Sequence, residues 1–236
     1  MTSGIIGIIG AMQEEMELFL LDLEGMSRET KAGTDYYAGK LFGRDVVVCK
    51  SGVGKVNAAV CTQVLIDRYG VGAVLFTGVA GALHPELEIG DLVVSTECMQ
   101  HDMDVTPLGF ARGVIPYADV SVFPADDALV RLAKQAGERL YGKTPMSGRV
   151  LSGDQFVASR ETVRSLYEQL GGVCTEMEGA AVAQVCHLNG VPYVVIRSMS
   201  DKADGSAHVN FAEFTPLAAK HSYEMVREMI RLMNAS

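Results

Sequence analysis

Short apolar runs alternate with helix-period segments along the whole chain, and that alternation restricts it to a layered α/β architecture. Residues 4 to 10 (G-I-I-G-I-I-G) read as a buried strand and residues 13 to 24 as an amphipathic helix. The stretch D-Y-Y-A-G-K-L-F-G-R-D-V-V-V-C-K reads as two strands hinged at Gly43, and a helix follows from Val56 to Tyr69. Strands are predicted at 73 to 77 and 91 to 97, then a long loop, a helix from about Asp126 to Leu140, and a strand and helix between 148 and 170. Val173 to Glu176 is a short strand. Met177 to Leu188 is a helix apolar nearly all round, hence buried, and stopped by Asn189, Gly190 and Pro192. P-Y-V-V-I-R-S-M-S supplies a further strand, and Thr215 with Pro216 at the first helical position predicts a C-terminal helix to about Met233. No linker, repeat or low-complexity stretch divides the chain. The expected fold is therefore a single domain over 1–236, built on a mixed, mainly parallel central sheet flanked by helices.

Composition narrows the partners. Twenty Lys and Arg against 29 Asp and Glu give a net charge of −9, which argues against nucleic acid and anionic membranes, both of which attract basic surfaces. A neutral or cationic small ligand suits this balance better. The five cysteines (Cys49, Cys61, Cys98, Cys174, Cys186) are odd in number, lie mostly in apolar segments and form no C-x-x-C pair, as expected of reduced thiols in a cytoplasmic protein. The N-terminus lacks a basic, cleavable leader, and no apolar run approaches the ~20 residues that span a bilayer.

In open α/β sheets, ligands bind beyond the carboxyl ends of the strands. Five predicted strand ends carry polar or glycine-rich groups: Glu15 after the first, T-G-V-A-G (77 to 81), S-G-D-Q-F (152 to 156), Glu176 with Glu178, and Ser200 with Asp201. Each alone has a structural explanation as a cap or a helix-dipole partner. Their joint appearance at one sheet edge points to a site. Other candidates fail on spacing. S-G-V-G-K-V (51 to 56) lacks the Walker pattern, because Cys49 and Val56 stand where a glycine and a Ser or Thr are needed. Cys98, His101, Asp102 and Asp104 do not match metal-ligand spacing, so neither a metal nor a cofactor is expected.

G-A-M-Q-E-E (10 to 15), S-G-V-G-K-V, T-G-V-A-G, H-D-M-D-V-T, S-G-D-Q-F-V, T-E-M-E-G-A-A and R-S-M-S-D-K-A together resemble the successive motifs of the 5'-methylthioadenosine/S-adenosylhomocysteine nucleosidase family. The likeness runs in order from residue 4 to the C-terminal helix. It implies the purine nucleoside phosphorylase-like fold, usually a homodimer, and hydrolysis of an adenine N-glycosidic bond to adenine and a 5-substituted ribose.

On that resemblance, Asp201 is the acid that shares a proton with adenine N7, and Glu15 is the base that orients and deprotonates water on the opposite face of the sugar, a division of labour like that of inverting glycosidases. Glu178 takes the ribose hydroxyls, with Met177 beside it and Arg197 holding Glu178 ionised. Glu176 is read as a helix-start residue. Phe156 stacks on adenine, Val157 reads its edge through the backbone, Ala80 and Gly81 allow close approach, and Ser200 adjoins the acid. Met12 and Phe211 floor the 5' pocket, which Val105, Leu108, Phe110 and Pro116 of a neighbouring subunit complete. Two departures from the common pattern leave the 5' preference open: Val79 replaces a frequent serine, and Leu108 and Phe110 stand where other aromatics are usual. Cleavage of 6-amino-6-deoxyfutalosine, which some members of the family perform, is not excluded by the sequence. A phosphorylase of this fold would carry an arginine where Leu75 and Phe76 stand, and the acids of the first loop would repel phosphate. A non-catalytic nucleoside-binding protein is the third reading, disfavoured by the joint presence of Glu15, Glu178 and Asp201.

Overall fold

Ten strands form one mixed sheet in the computed structural model, which describes residues 4–203 and 207–234. The expected limits at 1 and 236 lie outside the described residues. In chain order, β1 (Ile6–Gly10) leads to α1 (Gln13–Asp22), then to the hairpin strands β2 (Glu24–Lys31), β3 (Thr34–Leu41) and β4 (Arg44–Lys50). Next come α2 (Lys55–Tyr69), β5 (Ala73–Ala82), β6 (Leu92–Gln100), the short β7 (Val122–Pro124) and α3 (Asp127–Tyr141). The chain closes with β8 (Met146–Ser152), α4 (Arg160–Leu170), β9 (Gly172–Glu176), α5 (Gly179–Asn189), β10 (Tyr193–Asp201) and α6 (Ala207–Asn234).

The strand order β10-β6-β8-β9-β5-β1-β4-β3-β2, with β10 also pairing β5, closes five strands into a ring and leaves β1, β4, β3 and β2 as an open wing. Parallel pairs (β1 with β4 and β5, β10 with β5, β8 with β6 and β9) mingle with antiparallel ones, as in the β2-β3-β4 hairpins. The strands β1, β5 and β10 are buried along their whole length, because layers cover both faces. α6 lies on β10 and β5 and reaches α1 and α3, while α2 packs on α5. The main core runs through Ile8, Phe19, Leu75, Phe76, Val194 and Met229. A smaller cluster of Leu83, Met99, Leu151, Val157, Leu166 and Ala203 seats the loop after β8.

Beyond the short β7, which falls in the expected long loop, several elements differ from the sequence expectation. β2 carries polar residues on both faces and lies at the open edge of the sheet, so no apolar alternation marks it. β5 continues through T-G-V-A-G to Ala82, because β10 pairs with it as far as Gly81 and β9 pairs with Gly81 and Ala82. Pro216 lies inside α6 instead of opening it. Thr215 is no cap: its hydroxyl donates to the Phe211 carbonyl at 2.5 Å. The proline removes one helical N–H bond, which burial of Ala218, Ala219, Met225, Val226 and Met229 on the same helix offsets.

Candidate active site

The strand ends named in the sequence converge on one cavity of about 310 Å³, a size suited to a small organic molecule. Ala11, Met12 and Glu15 enter after β1, Val79 to Gly81 from β5, Thr175 to Glu178 from β9, and Ser200 with Asp201 from β10. Gln155, Phe156 and Val157 form the wall after β8, Phe211 comes from α6, and Val53 from the turn before α2. Among the described residues, no lysine, arginine or histidine lines it.

Glu15 occupies the third position of α1 and turns back over the helix start. Its Oε2 accepts from Ala11 N (2.6 Å) and Met12 N (2.9 Å), and its Oε1 from Val79 N (3.1 Å). Helix geometry selects it over its neighbour: Glu15 is buried and Glu14 is exposed. Burial raises the pKa of Glu15, opposed by the Arg197 charge and by the three backbone N–H groups. Gly78 makes room for it, since a Cβ there would lie 2.4 Å from Glu15 Oε1.

The E-M-E segment separates into two roles. Glu176 caps the start of α5, accepting from Gly179 N at 2.8 and 2.9 Å, and it also takes the Ser152 hydroxyl. That cap explains why α5 begins at Gly179, two residues later than the apolar pattern predicts. Glu178 faces the cavity and accepts from Gly54 N at 2.7 Å. Its pKa is pushed up to about 8, first by burial and then by the Glu176 charge.

Arg197 corrects one expectation. Its guanidinium pairs with Glu176, Nη2 to Oε2 at 2.5 Å, instead of with Glu178. It lies over the Phe76 ring with 3.9 Å between Cζ and the ring centroid, and it does not line the cavity. The reason is positional: Glu176, at the end of β9, reaches Arg197 and the first N–H of α5, while Glu178, the N-cap of α5, bonds Gly54 N instead.

Asp201, buried at the end of β10, accepts from Ser200 Oγ at 2.8 Å and from Ala203 N at 2.7 Å. Gly81 allows this approach, because a Cβ there would meet Ala203 Cβ at 2.8 Å and Asp201 Oδ1 at 3.0 Å. Phe156, half exposed, meets Phe211 edge-on with centroids 5.7 Å apart, so the two rings form an apolar flank beside the acid.

The remaining expected residues lie elsewhere. Val105, Leu108, Phe110 and Pro116 belong to the segment between β6 and β7 and do not line the cavity of their own chain. Of the discarded metal candidates, Cys98 and His101 are fully buried, Asp104 accepts from Thr106, and Asp102 joins Lys55 to Asp154. All five cysteines are buried free thiols. Ala11, Val53, Gln155 and Thr175 also line the cavity; sequence reasoning gives them no individual role, and their place inside the quoted motifs is the one signal they carry.

Residues 5–231 match the family model described as the phosphorylase superfamily. The 5'-methylthioadenosine/S-adenosylhomocysteine nucleosidase of Geobacillus kaustophilus is 43% identical over 227 residues, covering 96% of each chain. The crystal structure of the Neisseria meningitidis nucleosidase of that name, in complex with methylthio-immucillin-A, superposes with a TM-score of 0.93 at 39% identity, covering 97% of this chain and 99% of that one. Futalosine hydrolase of Helicobacter pylori strain 26695 gives a TM-score of 0.92 at 35% identity, covering 97% of both. With the fold, the cavity and its carboxylates in agreement, this chain belongs to the 5'-methylthioadenosine/S-adenosylhomocysteine nucleosidase family of the phosphorylase superfamily.

Proposed function

We propose that this protein hydrolyses the N-glycosidic bond of 5'-methylthioadenosine and S-adenosylhomocysteine, releasing adenine and the 5-substituted ribose. The observation that carries this reading is the meeting of Glu15, Glu178 and Asp201 in a cavity without a cationic side chain among the described residues. Asp201 gives its proton to N7 as the bond from N9 to C1' breaks, so that adenine leaves neutral. Water adds to C1' of the oxocarbenium ion from the other face and yields its proton to Glu15. A carboxylate whose pKa is raised toward neutrality, as burial does for Glu15, is the stronger base. Glu178 accepts the ribose hydroxyls beside Met177, Ser200 supports Asp201, Phe156 stacks on adenine with Val157, Ala80 and Gly81 along its edge, and Met12 and Phe211 floor the 5' side.

Phosphorolysis would need a cationic anion site, and the nearest guanidinium, that of Arg197, is committed to Glu176 behind the wall. The likeness to a futalosine hydrolase supports 6-amino-6-deoxyfutalosine as an additional substrate, and 5'-deoxyadenosine carries the same reacting bond. The functional unit is a homodimer of the cytoplasm. In support, Val53 before α2, Val56 and Val60 on α2, Leu188 at the end of α5, and Leu108 and Tyr117 in the segment before β7 are large apolar side chains left exposed, and Val105, Leu108, Phe110 and Pro116 reach the partner's cavity.

Adenine release from methylthioadenosine, measured with and without phosphate, tests the reaction. Hydrolysis requires release without phosphate at a rate phosphate does not raise. Release that depends on phosphate would establish phosphorolysis, and no release from a nucleoside that binds would establish a binding protein.

A further inference from the structure

We infer that Asp102 is a positioning residue that holds the adenine wall and the ribose-binding side of the cavity in register. The inference rests on the nucleosidase reading above. Asp102 does not line the cavity; it acts through the two segments that do. Its Oδ1 accepts from Lys55 Nζ at 2.7 Å and its Oδ2 from Asp154 N at 2.9 Å. Asp154 Oδ1 in turn accepts from Lys55 N at 2.8 Å, which closes a ring of three residues from the start of α2, the end of β6 and the loop after β8.

Each arm of the ring leads directly to ligand-facing groups. Gly54, one residue before Lys55, donates its N–H to Glu178. Gln155, Phe156 and Val157 follow Asp154 along the chain and form the adenine wall. Lys55 Nζ also donates to Gln100 Oε1 at 2.9 Å, and Gln100 Nε2 to Gln184 Oε1 at 2.6 Å, so the same ammonium is tied to α5, which Glu178 begins.

The pair is well placed for rigidity. The side chains of Lys55 and Asp102 are 18% and 14% exposed, where solvent screening is reduced. Burial alone would raise the Asp102 pKa, but the Lys55 and Asp154 hydrogen bonds outweigh it and hold the carboxyl below its ordinary value, so the group is charged at neutral pH. The fit at Gly54 is close as well: with φ +99° and a would-be Cβ 3.2 Å from Asp154 Oδ1, only glycine brings the two segments this near.

A ring that sets register has a signature that loss of general stability lacks. Each half of the cavity stays competent by itself, while a ligand that must span both halves suffers. In Asp102→Ala, and independently in Lys55→Met, binding of free adenine should stay within about twofold of wild type. Binding of an uncleavable methylthioadenosine analogue should weaken about tenfold or more, a loss of about 1.4 kcal/mol. In the empty protein, amide exchange at 53–56 and at 153–157 should quicken together in both variants. The double variant should lose little beyond either single one.

Equal loss for adenine and the analogue, no loss for either, or exchange that quickens on one segment alone would overturn the inference. Two variants that remove one ion pair from opposite ends keep the test decisive if one fails to fold. The functional reading fails separately, at the wild-type control, if the unmodified protein binds the analogue but releases no adenine from methylthioadenosine.

Discussion

Replacing Glu15 by glutamine tests the hydrolytic reading at its most exposed point. The structure sets two separate magnitudes for it. Glu15 Oε2 takes two backbone N–H groups and Oε1 takes one, from Val79. An amide keeps only one acceptor. Its oxygen will hold Ala11 and Met12, which turns the NH₂ toward the Val79 N–H and leaves that donor unmet. A buried unmet donor costs about 1–3 kcal/mol, and for a chain of this size each kcal/mol lowers Tm by about 2–4 °C. The variant should therefore be folded but measurably less stable. Chemistry should suffer more, because the amide cannot take a proton from water; loss of a general base costs about 10²–10⁴-fold in turnover. Analogue binding should change by less than tenfold, which separates the catalytic loss from the structural one. Glu14→Gln, one residue away and exposed, should match wild type in all three measurements. Adenine release, analogue titration and thermal denaturation of both variants decide the matter. An active Glu15→Gln beside an inactive Glu14→Gln would show that the base is the other residue, and two active variants would show that neither carboxylate handles the water.

The other expectations follow from particular contacts. The folded, empty protein holds the Glu178 proton until about pH 8 against a model-peptide value of 4.5, so the unfolded chain ionises first and stability falls as pH rises through that window; thermal scans between pH 5 and 8 should slope downward in the wild type and less so in Glu178→Gln, and parallel slopes would remove Glu178 as the cause. Arg197→Met strands the Glu176 carboxylate, whose side chain is 3% exposed, and should cost about 3–5 kcal/mol; adding Glu176→Gln should recover part of the lost Tm, and no recovery would show that the pair is not the source. Gly78→Ala drives a methyl group into Glu15 Oε1 and should cut turnover at least tenfold, an expectation that fails if adenine release is normal in the folded variant. In Asp201→Asn the amide oxygen still accepts from Ala203 N and its NH₂ can donate to Ser200 Oγ, so Tm should hold while turnover falls about 10²-fold or more; near-normal release would refute Asp201 as the acid.

What the sequence made legible is what local pattern encodes. β1, β4, β5 and β10 are apolar runs flanked by turn residues, and strand-end motifs name cavity residues because a parallel strand must deliver its next residues to one edge. The failures share another cause. Thr215-Pro216 is a helix-start signal by local chemistry, yet tertiary burial of the surrounding turns carries α6 straight through it. β2 escapes the pattern because both its faces are largely solvated and β3 is the strand it pairs with. Two carboxylates two residues apart are equivalent in sequence, and only the turn from β9 into α5 gives Arg197 to Glu176 and the Gly54 N–H to Glu178. Asp102 reads in sequence only as a poor metal ligand, since its partners Lys55 and Asp154 are 47 and 52 residues distant.

The choice of water over phosphate can be argued from charge alone. Glu15, Glu176 and Glu178 surround a single guanidinium, and Arg197 is spent on Glu176, the carboxylate that faces the helix start. Glu15 and Glu178, which face the cavity with Asp201, share only the field of that guanidinium, and both have raised pKa values, with burial the largest cause in each. An anion entering beside them would find no cationic partner among the residues described around the cavity and would oppose ionisation of both carboxyls, so the cavity disfavours phosphate. A sugar that becomes cationic as adenine departs meets the reverse situation: its developing positive charge favours the ionised form of Glu15 and Glu178, and those carboxylates in turn lower the energy of the oxocarbenium state relative to the neutral nucleoside. Neutral water can sit against Glu15 without opposing that field, and on the proposed reading its proton goes to the carboxylate whose affinity for it burial has raised.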